Sequence, residues 1–442
     1  MGLEELIAVV KNAGVAGAGG AGFPSYGKLS DRAETIILNC AECEPLLRLH
    51  RQLLEAHTYE ILSTLQVMAE AVGASQVIIG VKEAYTAAVD AVRAVLNSFP
   101  MISLGLLPEI YPAGDEVVLI HETTGKVVPP GSIPIEVGVA VFNVETVYNI
   151  YQALQERPVT RKYITVTGAV ERPCTRIVPL GMEVGQVVKL AGRVTVENPV
   201  YILGGPMTGP IAGAHDVITK TSNGILVLPE NHPVVWKKRG NSQINLKRAM
   251  ASCCQCQMCT DLCPRYLLGH PIEPHAFMRA ASSGTTQDLA PFLNTMFCVS
   301  CGLCEMYSCM QGLSPRSLIQ EYKAGLRREG IPVPKDRPLA SVKQELAYRK
   351  VPLKRLQSRL GLNVYDHPAP LDETEVTAGK VRIKLSQHIG APAEALVAAG
   401  DAVEAGQLIG RAKEGALSLP VHASICGIVQ DVNGQAVTIA GR

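Results

Sequence analysis

Large aromatic side chains are scarce in this chain: one tryptophan and six phenylalanines among 442 residues, and 5% aromatics with tyrosine included. An excess of either charge is lacking too, with 41 basic against 40 acidic residues and a net charge of +1. That balance leaves no electrostatic footprint for nucleic acid or an anionic membrane. No apolar run reaches the roughly 18–20 residues that a membrane span needs. The first residues, MGLEELIAVVKNAGV, carry acid where a secretory signal is basic and offer no convincing cleavage site. The expectation is a cytoplasmic protein with neither nucleic acid nor a membrane span. With 47% apolar and 18% charged residues the chain is globular, and its length suits two to four domains.

Cysteine is plentiful and unevenly spread: of thirteen, nine fall between 253 and 309. Disulfide frameworks belong to small secreted chains, which this is not. Residues 253–264 read CCQCQMCTDLCP, so Cys253, Cys256, Cys259 and Cys263 form C-x2-C-x2-C-x3-C-P. Residues 298–309, CVSCGLCEMYSC, form C-x2-C-x2-C-x4-C. Three thiolates on a tight loop hold three corners of a cubane, and in two-cluster ferredoxins each run's last cysteine ligates the other cluster. The spacing predicts one [4Fe–4S] cluster on Cys253, Cys256, Cys259 and Cys309, and a second on Cys298, Cys301, Cys304 and Cys263. Pro264 fits the ferredoxin pattern; Met310, after Cys309, departs from it. Structural zinc takes four ligands and has no use for the third evenly spaced cysteine of each run. Cys254 breaks the spacing and reads as a bystander. Single-electron transfer is the expected chemistry.

Residues 16–29, AGAGGAGFPSYGKL, concentrate glycine ahead of a lysine. Upstream, Leu3, Leu6, Ile7 and Val10 recur at helical spacing. Downstream, ETIILNC reads as a strand, the stretch from near Pro45 to VGA as one long helix, SQVIIGV as a strand and EAYTAAVDAVRAVLNSF as a helix. The alternation predicts an α/β domain with a mainly parallel sheet, which binds ligands at the strand ends. No Gly-Lys-Ser/Thr follows the loop, so it is not a Walker phosphate loop, and a helix rather than a strand precedes it, unlike a dinucleotide fingerprint.

The loop is joined by NCAECEP at 39–45, AGDEVVLIHETTGK at 113–126 and FNVETVYN at 142–149. This set resembles the flavin- and NADH-binding subunit of respiratory complex I. The resemblance implies FMN in the loop with NADH over it. Gly17, Gly19, Gly20 and Gly22 would approach the flavin phosphate and ring, Phe23 would border the nicotinamide, and Lys28 would bring positive charge near phosphate. Asn39, Asn143 and Thr146 would complete the flavin pocket, and Glu42 and Glu44 would line its nicotinamide side. Glu116 stands near the family's acidic stretch in a different string, and Ala41 replaces the family's aspartate. Cys40 and Cys43, without a second pair nearby, read as buried thiols.

The implied map is multidomain, α/β plus α+β: an FMN/NADH-binding domain at 1–157, a soluble-ligand-binding β-grasp module at 158–215, a helical two-cluster ferredoxin-like domain at 216–313, a helix and linker at 314–375, and a barrel-sandwich hybrid at 376–442. The last unit resembles biotinyl and lipoyl domains but lacks their carrier lysine; Lys413 reads as solvated. No D-x-H-x-x-G corrinoid signature occurs. The C subunit of the Rnf complex has the same parts with the barrel-sandwich unit first. The order here resembles the cobalamin reductases of propanediol-utilisation microcompartments, the PduS type. That resemblance implies electron flow from NADH through FMN and two [4Fe–4S] clusters to a corrinoid, with a microcompartment shell or a corrinoid adenosyltransferase as further partners. The alternative it leaves is an Rnf-C-like subunit serving a protein acceptor, ferredoxin or flavodoxin, or a glycyl-radical microcompartment.

Overall fold

β-branched runs alternating with amphipathic helices build the N-terminal unit of the computed structural model, which describes residues 1–284, 287–334 and 338–441. In chain order these are α1 (Leu3–Asn12), β1 (Thr35–Cys40), α2 (Leu49–Ala56), α3 (Thr58–Val72), β2 (Gln76–Lys82), α4 (Thr86–Val95), β3 (Ile102–Leu107), β4 (Ile110–Tyr111), α5 (Glu116–Thr124), β5 (Val139–Asn143) and α6 (Val144–Leu154). The sheet runs β3-β2-β1-β5 and is parallel throughout. Strand order reverses between β1 and β5, and such a switch point opens a crevice at the carboxyl ends of the strands. Asn39 and Asn143 face each other in register at that end. In α1, Leu6 and Val10 are fully buried in the same core as β1 and α6, with Leu3 and Ile7 packed against it.

The single long helix expected from Pro45 is two helices. Leu46 adopts a left-handed turn (φ 71), and the helical path breaks at His57 (φ −124, ψ 38). His57 is drawn outward, stacked on Tyr148 at 4.2 Å with its Nε2 2.8 Å from Glu373 Oε1.

The next unit contains β6 (Arg161–Gly168), β7 (Cys174–Pro179), α7 (Val184–Lys189), β8 (Pro199–Leu203), β9 (Ile211–Ala212) and β10 (Gly224–Pro229). Val184, Val187 and Val188 of α7 pack on Ile164 and Val166 of β6. This module does not close at residue 215: β10 pairs in parallel with β6 and antiparallel with β8, in the middle of the sheet. Residues 314–375 are not a free linker either. After the helix Pro315–Arg328, β11 (Val351–Pro352) pairs with β4 and β12 (Leu371–Asp372) pairs with β7. Arg48–Asp366 and Arg161–Glu375 ion pairs fasten the same stretch, which is a strap across two units.

The cysteine region is helical, with Ser242–Ser252, Pro274–Ser283 and Pro315–Arg328 packed around Phe277 and Ile319. The C-terminal unit stacks a four-stranded sheet and a three-stranded sheet. Strand Lys380–Lys384 alternates exposed and buried residues, and Val381 and Ile383 enter a core shared with Val421 and Ile439. Lys413 is exposed. Among the described residues no helix is long and apolar enough to cross a membrane.

Candidate functional site

A short bridge between Ala16 and Pro24 and the Gly17 amide donating to the Phe23 carbonyl (2.9 Å) close the glycine loop on itself. Gly20 and Gly22 sit at φ +85 and +71, which L-residues with a Cβ adopt reluctantly. The Ala18 amide donates to Thr146 Oγ1 at 2.9 Å, anchoring the loop over the first turn of α6. Asn143 caps that helix through Oδ1, which accepts from the Glu145 amide at 2.9 Å, while its Nδ2 lies 3.0 Å from His50 Nε2. A Cβ on Gly19 would stand 3.0 Å from Asn143 Nδ2, so any larger residue there would have to displace the Asn143 amide by a few tenths of an ångström. The Phe23 ring lies over Gly27. Lys28 Nζ donates to Glu116 Oε1 (2.9 Å) and the Val141 carbonyl (3.1 Å), tying the loop to α5 and β5.

Opposite the loop, the turn after β1 is held by its own polar atoms. Asn39 donates to the Gly114 carbonyl (2.9 Å) and accepts from the Ala41 amide (3.1 Å). Lys82 Nζ and Tyr85 Oη donate to the Glu42 carbonyl at 2.7 and 3.1 Å, and burial holds the Lys82 ammonium below its usual pKa. The Glu42 side chain is buried; its Oε1 accepts weakly from the His50 amide (3.4 Å) and its Oε2 has no partner. Glu44 turns to the loop between β8 and β9, where the Met207 and Thr208 amides donate to it at 2.8 Å each. Beneath this crevice lies a charged pair, Glu145–Lys162, completely buried. Lys162 also donates to Asn223 Oδ1 (3.2 Å), and Glu145 accepts from the Tyr163 amide (3.2 Å). Burial pulls Lys162 down and Glu145 opposes it; burial likewise holds His50 below its usual range.

Lys162, Asn223 and His50 were not foreseen. The signal for the first lay in Glu145 of the N-V-E-T segment, an acid between Val144 and Val147 at the buried start of the helix, where a carboxylate requires a cation. A buried carboxylate oxygen awaiting a donor, free loop backbone and a polar strand end fit FMN: a phosphate suits the amides, and the N–H edge of the flavin suits Glu42.

The cysteines gather into two rings. Cys263, Cys298, Cys301 and Cys304 wall one cavity, together with Ile272, Leu303 and Ile319. Cys253, Cys256, Cys259 and Cys309 wall a second, with Met278, Leu313 and also Cys254. Gln255, Gln257 and Ser300 take left-handed conformations that curl the loops tightly. Burial first, then Cys309, Cys253 and Cys256, push the Cys259 thiol up to about 12; burial and Cys298 push Cys263 to about 11 despite favourable backbone donors. Cys259 and Cys263 therefore need a cationic core to become thiolates, and the two donor sets fit iron–sulfur clusters. The Ser300 amide donates to Cys298 Sγ (3.4 Å) and the Leu313 amide to Cys309 Sγ (3.3 Å), contacts of the kind that tune cluster potentials.

The Cys263 ring adjoins the glycine-loop unit. Arg265, two residues beyond Cys263, pairs with Asp115 at 2.9 Å, and these side chains are only 11% and 12% exposed. Asp115 caps α5, whose first residue is Glu116, the partner of Lys28. Tyr111 donates its hydroxyl to the Cys301 carbonyl.

Three family models match separate stretches: the Nuo51 FMN-binding domain at residues 10–152, a 4Fe-4S dicluster domain at 252–314, and the RnfC barrel sandwich hybrid domain at 368–441. The chain is 42% identical to cobalamin reductase PduS of Salmonella typhimurium over 438 residues, covering 99% of this chain and 96% of that protein. Its likeness to cobalamin reductase PduS of Citrobacter freundii is 41% over 437 residues, 97% of this chain and 95% of the other. With the C subunit of the ion-translocating oxidoreductase complex of Yersinia enterocolitica it shares 34% identity over 269 residues, 60% of this chain and 37% of that one.

Proposed function

Because the chain belongs to the family of cobalamin reductase PduS, we propose that it carries electrons from NADH to a corrinoid, with FMN at the glycine loop and two [4Fe–4S] clusters in the cysteine rings. Gly17, Gly19, Gly20 and Gly22 would present backbone to the flavin, Phe23 would border the nicotinamide, and Asn143 and Thr146 would fix the loop beneath the flavin. Asn39 would hold the acidic turn and Glu42 would accept from the flavin edge. Glu44 and Glu116, engaged by the Met207 and Thr208 amides and by Lys28, would shape the walls. Cys253, Cys256, Cys259 and Cys309 would hold one cluster, and Cys263, Cys298, Cys301 and Cys304 the other. FMN, when bound, exchanges the two electrons of a hydride with one-electron carriers. The protein's part is to orient, enclose and tune. No side chain is required as a general acid or base.

What supports this reading most is the side-chain link Lys28–Glu116, Asp115–Arg265, Cys263, which joins the glycine loop to one cysteine ring through buried and half-buried ion pairs. The apolar stripe of α1 is turned into the core at Leu6 and Val10, so a shell or adenosyltransferase would meet another surface. The likeness to the Yersinia protein favours a second reading, delivery to a protein carrier. Anaerobic protein with about eight irons and FMN, given NADH, cob(III)alamin and ferredoxin in parallel reactions, separates the two. Cobalamin reduction without ferredoxin reduction is the expected result; ferredoxin reduction alone overturns it in favour of the carrier.

A further inference from the structure

A polar cavity of about 290 Å³ opens where three units meet. The glycine loop supplies Gly20, the segment before β10 supplies Thr219 and Thr221, and the barrel-sandwich unit supplies Lys384, Ser386 and His388. No Asp or Glu borders it, and Lys384 has no acidic partner among the described residues. The cavity therefore presents one ammonium, three hydroxyls and an imidazole. Beside Gly20 the space is open: a Cβ there would meet nothing within 4 Å.

The walls are fixed to one another. The Lys220 amide donates to Gln387 Oε1 (3.0 Å), and the Ile389 amide donates to the Gly22 carbonyl (3.2 Å). Lys220 Nζ, buried below, donates to the carbonyls of Gly14 (2.7 Å) and Pro420 (3.2 Å). A preformed, acid-free recess with one ammonium attracts anions rather than cations. Its volume falls just short of the roughly 300–1,000 Å³ typical of whole-ligand sites, so it suits part of a larger ligand. Sharing Gly20 with the loop places that ligand next to the flavin site.

We propose that this junction receives the phosphate groups of the incoming nicotinamide dinucleotide, with Lys384 of the barrel-sandwich unit as a phosphate ligand. The proposal rests on the FMN and NADH reading above. It assigns the C-terminal unit a part in substrate binding that a carrier-type fold without its lysine would otherwise lack.

The test uses cofactor-loaded protein, with ADP as a probe that carries phosphates and no nicotinamide. Lys384 is exposed, so K384E is expected to fold. K384E should weaken ADP binding in calorimetry and raise KM for NADH, each by about tenfold or more, with kcat and FMN content unchanged. Ser386→Ala should move both in the same direction by less. Unchanged ADP affinity in K384E overturns the proposal. So does loss of FMN with ADP affinity intact, which would assign the recess to the flavin phosphate. Wild-type protein that binds no FMN fails the parent reading instead, and the calorimetric comparison with ADP still decides the junction.

Discussion

Each cysteine ring takes three of its four thiols from one short loop, 253–259 or 298–304, and only the fourth from the other loop. The glycine-loop region is gathered from much farther apart. Ala18 meets Thr146 across 128 positions, Lys28 meets Glu116 across 88, and Lys220 reaches Gly14 and Pro420 across 206 and 200. The two regions thus depend on different things. A ring is assembled by local spacing and completed by its metal, whose binding free energy is itself folding free energy. The glycine loop over β1 and β5 is anchored within its own unit but is also tied to two others through Lys220, and lesions there should spread between units as ring lesions do not.

The largest effect should come from a ring. Cys259→Ala removes a thiol that no neighbour replaces at that spacing, and iron should fall from about eight to about four per chain. Flavin content should hold, because the glycine loop shares no ligand with that ring. Iron analysis alongside flavin absorbance measures both. Simultaneous loss of the two would break the contrast between a local and a dispersed site.

A cross-unit lesion comes next. Lys162→Met leaves Glu145 buried without its cation, which costs about 3–5 kcal/mol. Denaturation followed by circular dichroism should show that loss, with flavin released and iron retained. The double variant Lys162→Met/Glu145→Leu should recover most of the stability, since an apolar pair of similar volume replaces a desolvated one. If the double variant is as unstable as the single, the charge is not what the site lost.

The loop itself distinguishes clash from strain. At Gly22 a Cβ would stand 2.6 Å from Thr221 Cγ2, at φ +71; at Gly20 it would meet open space, at φ +85. Gly22→Val should push the loop off the 219–221 segment and abolish flavin binding. Gly20→Ala should cost only the left-handed backbone, about 1–2 kcal/mol, and keep part of the flavin. Equal flavin loss in both would mean that backbone freedom alone matters.

The same difference governs how much was legible in the sequence. The grouping of the cysteines around two cavities was legible in advance because their spacing repeats within a few residues. The glycine run and the strand–helix alternation marked the β1–β5 crevice, and the glycines and asparagines lie there. Their partners were not legible. Lys162, Asn223 and His50 each look like an ordinary polar residue until the fold brings them under one loop. Glu44 was expected along the flavin and nicotinamide side from the resemblance alone, and nothing local to it foretells the Met207 and Thr208 amides. The boundary expected at 215 fell short because the polar stretch 213–223 looks like an exit, whereas β10 returns to the sheet centre. β11 and β12, two residues each, are too short to carry periodicity.

The smallest expected effect is none at all. Cys254 borders the cavity of the first ring beside Cys253, so position alone does not tell which of the two is the ligand. Spacing does: Cys253 is three residues before Cys256, as Cys256 is before Cys259, and the second loop repeats that interval at Cys298, Cys301 and Cys304. Exposure does not separate them, since the assigned ligand Cys256 is exposed like Cys254, but Cys253 Sγ accepts from Gln255 Nε2 at 3.2 Å. Cys254→Ser should therefore leave iron at about eight per chain and the electron paramagnetic resonance of the reduced protein unchanged, and Cys253→Ser should lose about four. If Cys253→Ser keeps its iron while the Cys253→Ser/Cys254→Ser double variant loses it, the neighbour can stand in, and local spacing is a preference of the ring rather than a requirement.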